Sequence, residues 1–186
     1  MLVEAFAGYP VMRYVIGAAH ADEAARHRRL VTFFVMMRVW RGEPVFAVRE
    51  DGAVVAAAAV TLPGPRETPA FVEGRREELW AALGDDARRR YEAYGEAARR
   101  FLVAGPNHHL NMVGIRRSRQ GRGLARPLLD AVHALADADP ASGGVSLTTE
   151  TAANVPLYEH FGYHVLGHGH IADDLESWVL FRRRAG

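Results

Sequence analysis

The chain has 186 residues, of which 49% are hydrophobic and 24% are charged, and its formal net charge is +1. This balance is typical of a single globular domain over residues 1–186 and differs from that of a disordered chain. The near-neutral charge disfavours nucleic acid and membrane surfaces as partners, and the longest apolar run, Ala53 to Val60, is too short to cross a bilayer.

The chain contains neither cysteine nor lysine, since all 23 of its lysine-or-arginine positions are arginine. Without cysteine, disulfides, thiolate nucleophiles and cysteine-ligated metal centres are excluded. Without lysine, a Walker-type phosphate loop and a pyridoxal-phosphate Schiff base are excluded as well. Glu4 precedes any basic residue, so we expect no secretory leader and a cytoplasmic location.

The first half of the chain is predicted to form helices around a β-hairpin. Asp22 is suited to cap a helix that runs to about Trp40, after a short apolar segment at Phe6–Ile16. Asp51-Gly52 is typical of a tight turn between two strands. The further predicted elements are the strands Val45–Val48 and Val54–Leu62 and the helices Phe71–Leu83 and Asp85–Phe101.

The second half alternates strands and helices, which predicts an α/β or α+β protein. Apolar residues at helical spacing predict a helix from Leu124 to Ala136. We expect the three arginines at 182–184 to form a solvated tail. The other predicted elements are the strands His109–Ile115, Val145–Thr149, Tyr163–Val165 and Trp178–Phe181 and the helix Val155–Phe161.

The segment from Ile115 to Ala125 joins a predicted strand to a predicted amphipathic helix. Gly121 and Gly123 let the backbone turn tightly, and free N–H groups at the start of the helix carry the positive end of its dipole. Such a turn binds anions, most naturally phosphate. Five arginines add positive charge at or near it: Arg116, Arg117, Arg119, Arg122 and Arg126.

The same pattern has a plainer interpretation, in which the glycines serve only the geometry of the turn and the arginines are solvated. The turn lacks the three spaced glycines of a dinucleotide-binding loop, which disfavours NAD and FAD. Pro127 fits only the first turn of a helix, so it predicts that the helix begins close to Gly123.

A loop, a strand and a helix motif follow one another in this half of the chain. They are Gln-Gly-Arg-Gly-Leu-Ala at 120–125, Leu-Thr-Thr-Glu-Thr at 147–151, and then Asn154, Pro156, Tyr158-Glu159 and Phe161-Gly162-Tyr163. These motifs resemble the pyrophosphate loop and second half of the GNAT superfamily, the acyl-CoA-dependent N-acyltransferases. With Trp178 in the predicted last strand, the resemblance is closest to the branch that includes puromycin N-acetyltransferase. It extends from about Leu110 to Arg182.

This resemblance implies the GNAT fold, a mixed central sheet that splays between its fourth and fifth strands and is flanked by helices. Those two strands correspond to the predicted strands His109–Ile115 and Val145–Thr149. The strand that usually opens the fold has no counterpart in this sequence. We expect that it is either absent or encoded upstream of Met1.

The resemblance also implies acetyl-CoA as co-substrate. Backbone N–H groups of the loop are expected to hold its pyrophosphate, and the strand edge at Val113 to pair with its pantetheine arm as an added strand would. Asn154 is expected to hydrogen-bond the arm, although a helix N-cap would also explain it. The implied cofactor-binding residues are Val113, Gly114, Ile115, Gln120, Gly121, Arg122, Gly123, Leu124, Ala125, Asn154 and Tyr158.

Three residues are candidates for proton transfer. Tyr158 is the expected general acid, because a phenol can protonate the leaving thiolate; as a plain alternative it is a core tyrosine. The general base is either His109, whose imidazole titrates in a useful range, or Glu150. Glu150 matches the glutamate of the puromycin-type Leu-Glu-Thr motif. Deprotonation relayed by water, with no single essential base, is a third alternative.

Two other groups of residues have plain interpretations. His164, His168 and His170 lie on an extended segment where they converge poorly, so we expect no metal site. Tyr91 and Tyr94 on the charged helices could cover an acceptor pocket or could simply pack against the core.

We therefore expect an N-acetyltransferase that moves an acetyl group from acetyl-CoA to a primary amine of a small molecule, by direct attack in a ternary complex. The absence of cysteine agrees with this, since no acyl-enzyme has to form. The alternatives are a protein or peptide N-acetyltransferase, a non-catalytic CoA-binding sensor, and an interaction domain that keeps the fold without the ligand. A homodimer is possible, as in many relatives.

Overall fold

The computed structural model describes residues 1–17, 21–100, 103–172 and 175–185. Its helices are α1 (Leu2–Ala5), α2 (Pro10–Ile16), α3 (Glu23–Trp40), α4 (Phe71–Leu83), α5 (Asp85–Arg99), α6 (Ala125–Asp137) and α7 (Val155–His160). Its strands are β1 (Val45–Glu50), β2 (Ala53–Thr61), β3 (His108–Ile115), β4 (Gly144–Thr149), β5 (His164–Ala172) and β6 (Leu175–Arg183). The mixed α/β class predicted from the sequence is confirmed.

The strands form one mixed sheet in the order β1-β2-β3-β4-β6-β5. β3 and β4 are parallel, and every other neighbouring pair is antiparallel. α6 makes the crossover between the two parallel strands, as such a connection requires. A mixed central sheet flanked by helices is the architecture that the family resemblance implied.

The parallel pair is short, because β3 and β4 separate after three paired positions. His108, His109 and Leu110 pair with β4, whereas the last part of β3, from Met112 to Ile115, pairs only with β2. The register between β2 and β3 shifts by one residue at Asn111, and a β-bulge of this kind bends a strand. The sheet therefore opens between β3 and β4, which is the predicted splay.

Hydrophobic clusters cover both faces of the sheet. On one face, Leu30 of α3 and Trp80 of α4 belong to a cluster that includes Ala57 of β2. On the other face, Leu129 of α6 belongs to a cluster that includes Ala58 of the same strand. β2 is thus a central strand buried on both sides, which explains its long apolar run.

Several predicted boundaries differ from the structure. The residues before α3 form two short helices, with Pro10 at the first position of α2, where proline is tolerated. Asp22 precedes α3 but makes no capping hydrogen bond through its side chain. Phe101, the predicted end of α5, lies outside the described residues.

The C-terminal strands are longer than predicted, because they pair with each other along a hairpin. The solvated tail is wrong for Arg182, whose guanidinium donates to both carboxylate oxygens of Asp137 at 2.9 Å. Among the described residues, no helix combines the length and apolar character needed to cross a membrane.

Candidate active site

The loop predicted to bind phosphate leads from β3 into α6. Gly121 and Gly123 have φ angles of 75° and 76°, which favour glycine, and α6 begins at Ala125, close to Gly123 as Pro127 predicted. The N–H groups of residues 121–125 donate to no acceptor in the described part of the chain. Five adjacent donors at the positive end of a helix are suited to a diphosphate.

Gln120 differs from the rest of the loop. Its N–H donates to the Arg117 carbonyl at 3.4 Å, and its side-chain amide donates to the Ile115 carbonyl at 3.3 Å. Gln120 therefore ties the loop to the end of β3, and its backbone donor is engaged within the protein.

Three of the arginines around the loop are anchored to the protein. Arg119 Nε lies 2.9 Å from Glu50 Oε2, and the Arg117 guanidinium donates to a carbonyl of the segment after α1. Arg126 lies over the Phe161 ring, 5.0 Å from its centroid. These contacts fix the three side chains against the protein, so the interpretation of freely solvated arginines does not apply to them.

The edge of β3 beside the opening carries main-chain groups that point away from β2. The Arg116 N–H donates to the Val55 carbonyl at 2.8 Å, and hydrogen bonds to a neighbouring strand alternate along an antiparallel pair. Val113 and Ile115 therefore turn their N–H and C=O groups toward the opening. These are the positions at which the sequence predicts pairing with an extended ligand.

Gly114, between these two residues, is required by helix packing. A Cβ atom at this position would lie 2.8 Å from both Ala5 Cβ and Leu2 Cδ2 of α1. The space beside this glycine is therefore occupied by α1, which packs directly on β3.

A cavity of about 590 Å³ occupies the opening between β3 and β4. Residues of α2, α3 and α5 line it from one face of the sheet, and residues of α6 and α7 line it from the other. The predicted site residues in its lining are Tyr158, Glu150, His109, Val113, Gly114, Ile115, Gln120, Ala125 and Asn154. The remaining four, Gly121, Arg122, Gly123 and Leu124, belong to the loop that continues from it.

Glu150 directly follows β4 and is buried. Its Oε1 accepts hydrogen bonds from the Tyr94 hydroxyl at 2.8 Å and the Ser177 hydroxyl at 3.1 Å. Burial raises the pKa of the Glu150 carboxyl, although these hydrogen bonds favour its ionised form. A carboxylate with a raised pKa is a better proton acceptor than an ordinary surface carboxylate.

Tyr158, on α7, contacts the other side of the cavity. Burial, and then the negative charge of Glu150, raise the pKa of its phenol, so the hydroxyl keeps its proton at neutral pH. The hydroxyl donates to no residue in the ranges that the structure covers, while the ring lies edge-on to Tyr163 at 5.7 Å. Tyr158 is therefore both a packed core residue and a free donor in the cavity.

The Nδ1 atom of His109 and the Ser146 hydroxyl of β4 form a hydrogen bond of 2.9 Å. Burial, and then the positive charge of Arg38, lower the pKa of the imidazole to about 4. The ring is neutral at physiological pH. His108, as alternation predicts, takes a different partner, with its Nδ1 2.9 Å from the Ser142 hydroxyl.

Asn154 precedes α7, but its side chain caps no helix N–H group. Its amide instead donates to the Thr149 hydroxyl at 3.0 Å, at the end of β4. Asn154 therefore occupies the N-cap position without capping through its side chain, and it lines the cavity.

Tyr9 and Arg38 also line the cavity, although neither is among the residues predicted from the sequence. The Tyr9 hydroxyl lies 3.0 Å from Thr149 Oγ1 and accepts the Glu150 N–H at 3.2 Å. Both residues come from the N-terminal third, where the family motifs match only loosely, and no local pattern marks them. Tyr94 carries a weak signal, since it follows another tyrosine by one helical turn.

The histidines of β5 face a carboxylate across the hairpin. The Nε2 atoms of His168 and His170 lie 3.7 and 3.2 Å from Glu176 Oε1, and His168 stacks on Trp178 at 4.4 Å. Within the described ranges, no group of three or more His, Asp or Glu side chains is arranged to hold a metal ion.

A family model for the acetyltransferase (GNAT) domain matches residues 79–176, which is more than half of the chain. The chain therefore belongs to the GNAT acetyltransferase family and is an enzyme of the acyltransferase class. No curated protein matches it in sequence at a significant level. The narrower resemblance to the puromycin N-acetyltransferase branch stays a prediction.

Solved structures share this fold at low sequence identity. One from Corynebacterium glutamicum, described as histone acetyltransferase HPA2 and related acetyltransferase, is 23% identical, with a TM-score of 0.70 over 100% of this chain and 88% of its own. PH1933 from Pyrococcus horikoshii is 13% identical, with a TM-score of 0.59 over 100% and 89%. Chaetomium thermophilum Naa20 in complex with a bisubstrate analogue is 15% identical, with a TM-score of 0.52 over 83% and 73%. At these identities the likeness establishes the GNAT fold alone.

Proposed function

We propose that the protein is an acetyl-CoA-dependent N-acetyltransferase that acetylates a primary amine of a small molecule by direct attack. One observation carries this proposal: the sheet opens between β3 and β4 onto a cavity that has free backbone donors at one end and Glu150, His109 and Tyr158 along it. A single opening can therefore hold an acyl donor and an amine together, which converts the transfer into a positioned reaction.

The residues at the loop end fit acetyl-CoA, which supplies an acetyl group activated as a thioester. The five N–H groups of residues 121–125 would hold the pyrophosphate. The main-chain groups of Val113 and Ile115 would pair with the pantetheine arm, and Asn154 would hydrogen-bond to it from the opposite wall.

We assign the role of general base to Glu150. A protonated amine cannot attack a thioester, so a proton has to leave the nitrogen first. The pKa of Glu150 is raised by burial, whereas the pKa of His109 is lowered to about 4, which makes the imidazole the weaker acceptor. We assign His109 a positioning role at the wall, fixed by Ser146.

Tyr158 would act as general acid. Its hydroxyl keeps its proton because burial raises the phenol pKa, and it has no competing acceptor in the described chain. It can therefore deliver the proton to the thiolate as the carbon–sulfur bond breaks. Backbone N–H groups of β3 at the opening would stabilise the developing oxyanion.

Two observations support a small-molecule acceptor. The acceptor side of the cavity is walled by aromatic side chains, among them Tyr9, Phe34 and Tyr91, and an aromatic-lined pocket suits a small molecule better than an extended peptide. The resemblance to the puromycin N-acetyltransferase branch points in the same direction. The proposal includes one domain over residues 1–186, a cytoplasmic location and possible pairing into a homodimer.

The test is a thiol-release assay with acetyl-CoA against polyamines, amino acids, aminoglycosides, puromycin and peptides. We expect amine-dependent release of CoA with one of the small-molecule classes. Turnover of peptides alone would replace the proposal with a peptide N-acetyltransferase. CoA binding without turnover of any amine would indicate a sensor, and no CoA binding would indicate a domain that keeps only the fold.

A further inference from the structure

Two ionisable side chains of opposite charge line the cavity on the acceptor side. Arg38 and Glu150 are the only Arg, Lys, Asp or Glu residues in the described lining. They come from separate elements, α3 and the end of β4, so the fold and not a local motif brings them to one cavity.

Arg38 is held rigidly with one edge free. Its Nε lies 2.9 Å from Glu43 Oε2, and its Nη1 donates to the Thr61 hydroxyl at 2.7 Å and to the Asn111 amide oxygen. Its Nη2 donates to no residue in the described ranges. Arg41 lies 3.5 Å from the second oxygen of Glu43, so one carboxylate is shared between two guanidinium groups.

Burial lowers the pKa of Arg38, which means that water stabilises its charge poorly. A cation that is desolvated, fixed in place and open on one edge is a good partner for a carboxylate, because guanidinium and carboxylate match in geometry and charge. The shared Glu43 leaves positive charge for such a partner to neutralise.

Aromatic residues of α3 and α5 line the cavity between Arg38 and Glu150. α3 presents Phe34 and Arg38, one turn apart, and α5 presents Tyr91 and Tyr94, also one turn apart. The Phe34 and Tyr91 rings lie 5.7 Å apart, while the Tyr94 hydroxyl reaches Glu150. The surface between the cation and the anion is therefore aromatic.

We propose that the acceptor carries a carboxylate and a primary amine at opposite ends of an apolar or aromatic body, with the carboxylate on Arg38, the amine beside Glu150 and the body against Phe34 and Tyr91. This inference rests on the proposed function and specifies its substrate class. It also separates such acceptors from α-amino acids, which carry both groups on one carbon, and from peptide N-termini, whose α-carboxylate is consumed in an amide bond.

The experiment compares acceptors that differ only in the carboxylate: 4-(aminomethyl)benzoate, its amide and benzylamine, with 6-aminohexanoate and its amide in parallel. Thiol release gives kcat/KM for each, and calorimetry gives acceptor binding to the CoA-loaded protein. We expect the acid to be preferred by about tenfold or more, the usual effect of one charge-assisted hydrogen-bonded pair. Equal use of acid and amine would overturn the inference and leave the proposed function intact.

Variants tie the preference to Arg38. Arg38→Gln, made together with Glu43→Gln so that no lone charge stays buried, should remove the preference for the acid while the amine is still acetylated. Arg41→Gln is the matched control, because Arg41 contacts the same Glu43 but does not line the cavity, and it should keep the preference. A preference that survives in the double variant would refute the role of Arg38. If no amine in either series is acetylated or bound, both this inference and the proposed function fail.

Discussion

The Tyr94 hydroxyl donates a 2.8 Å hydrogen bond to Glu150 Oε1 and so links α5 to the residue that follows β4. Ser177 of β6 donates to the same oxygen at 3.1 Å. A carboxylate at the centre of the cavity is thus oriented by two elements that are far from it in sequence. The contact gives a tyrosine of an otherwise charged, exposed helix a function in positioning Glu150.

Tyr94→Phe should shift the pH dependence of turnover. The hydrogen bond stabilises the ionised carboxyl, so its loss should raise the pKa of Glu150 further. If Glu150 accepts the proton from the amine, the acid limb of the kcat/KM profile then moves to higher pH. Tyr14→Phe, on α2 and outside the cavity, serves as the control with an unchanged profile. An acid limb that stays in place in Tyr94→Phe would argue against Glu150 as the base.

Tyr158→Phe should lower kcat by about a hundredfold or more, the usual contribution of a general acid, with little effect on acetyl-CoA affinity. The ring and its packing remain, while the proton donor is lost. Steady-state kinetics and calorimetry with CoA separate the two effects. Tyr163→Phe removes a hydroxyl that is bonded to His133 and should leave kcat nearly unchanged. Unchanged turnover in Tyr158→Phe would remove Tyr158 from the mechanism.

Glu150→Gln should abolish most activity without loss of stability at neutral pH. Because burial raises the pKa of Glu150, the folded state binds its proton more tightly than the unfolded chain does. The ionised carboxyl therefore costs stability above the folded-state pKa, and this cost disappears at acid pH, where both states are protonated. Urea unfolding at neutral and acid pH measures the difference. A variant that is clearly less stable than the parent at neutral pH would show that the ionised Glu150 carboxyl stabilises the folded state instead of destabilising it.

Gly123→Glu should abolish CoA binding in a protein that still folds. The residue adopts a φ of 76°, and an acidic side chain there would repel a diphosphate at the five free N–H groups. Gly105→Glu is the matched control, because Gly105 has a φ of 80°, is equally unhindered and precedes the other end of β3. Calorimetry measures CoA binding by both variants, and circular dichroism verifies that both are folded. CoA affinity that is retained in Gly123→Glu would contradict the assignment of the loop.

Gly114→Ala should destabilise the protein by about 1–3 kcal/mol, the usual cost of overpacking. Its Cβ would lie 2.8 Å from Ala5 Cβ and Leu2 Cδ2, so α1 would have to move away from β3. Chemical denaturation measures the loss. Ala5→Gly in the same chain removes one of the two clashes and should restore part of the stability. Full stability in the single variant would show that α1 does not pack on β3 as described.

Local patterns were sufficient for the loop and the catalytic candidates of the second half. The position of Pro127 predicted where α6 begins, and the turn glycines adopt the positive φ angles that such a turn requires. Glu150 and Tyr158 became candidates because the motifs that contain them resemble those of the GNAT superfamily, and both line the cavity. These features depend on near neighbours in the chain, which the sequence displays directly.

The sequence by itself therefore determined the order of the elements, the resemblance to the family and the glycine turn before α6, because each depends on residues that are close together in the chain. Only the tertiary structure decided that Tyr9, Arg38 and Tyr94 line one cavity with Glu150, and that β3 and β4 part after Leu110. These outcomes depend on how helices pack on a bent sheet. The side chains that meet there are up to about 140 residues apart, and no local spacing records such contacts.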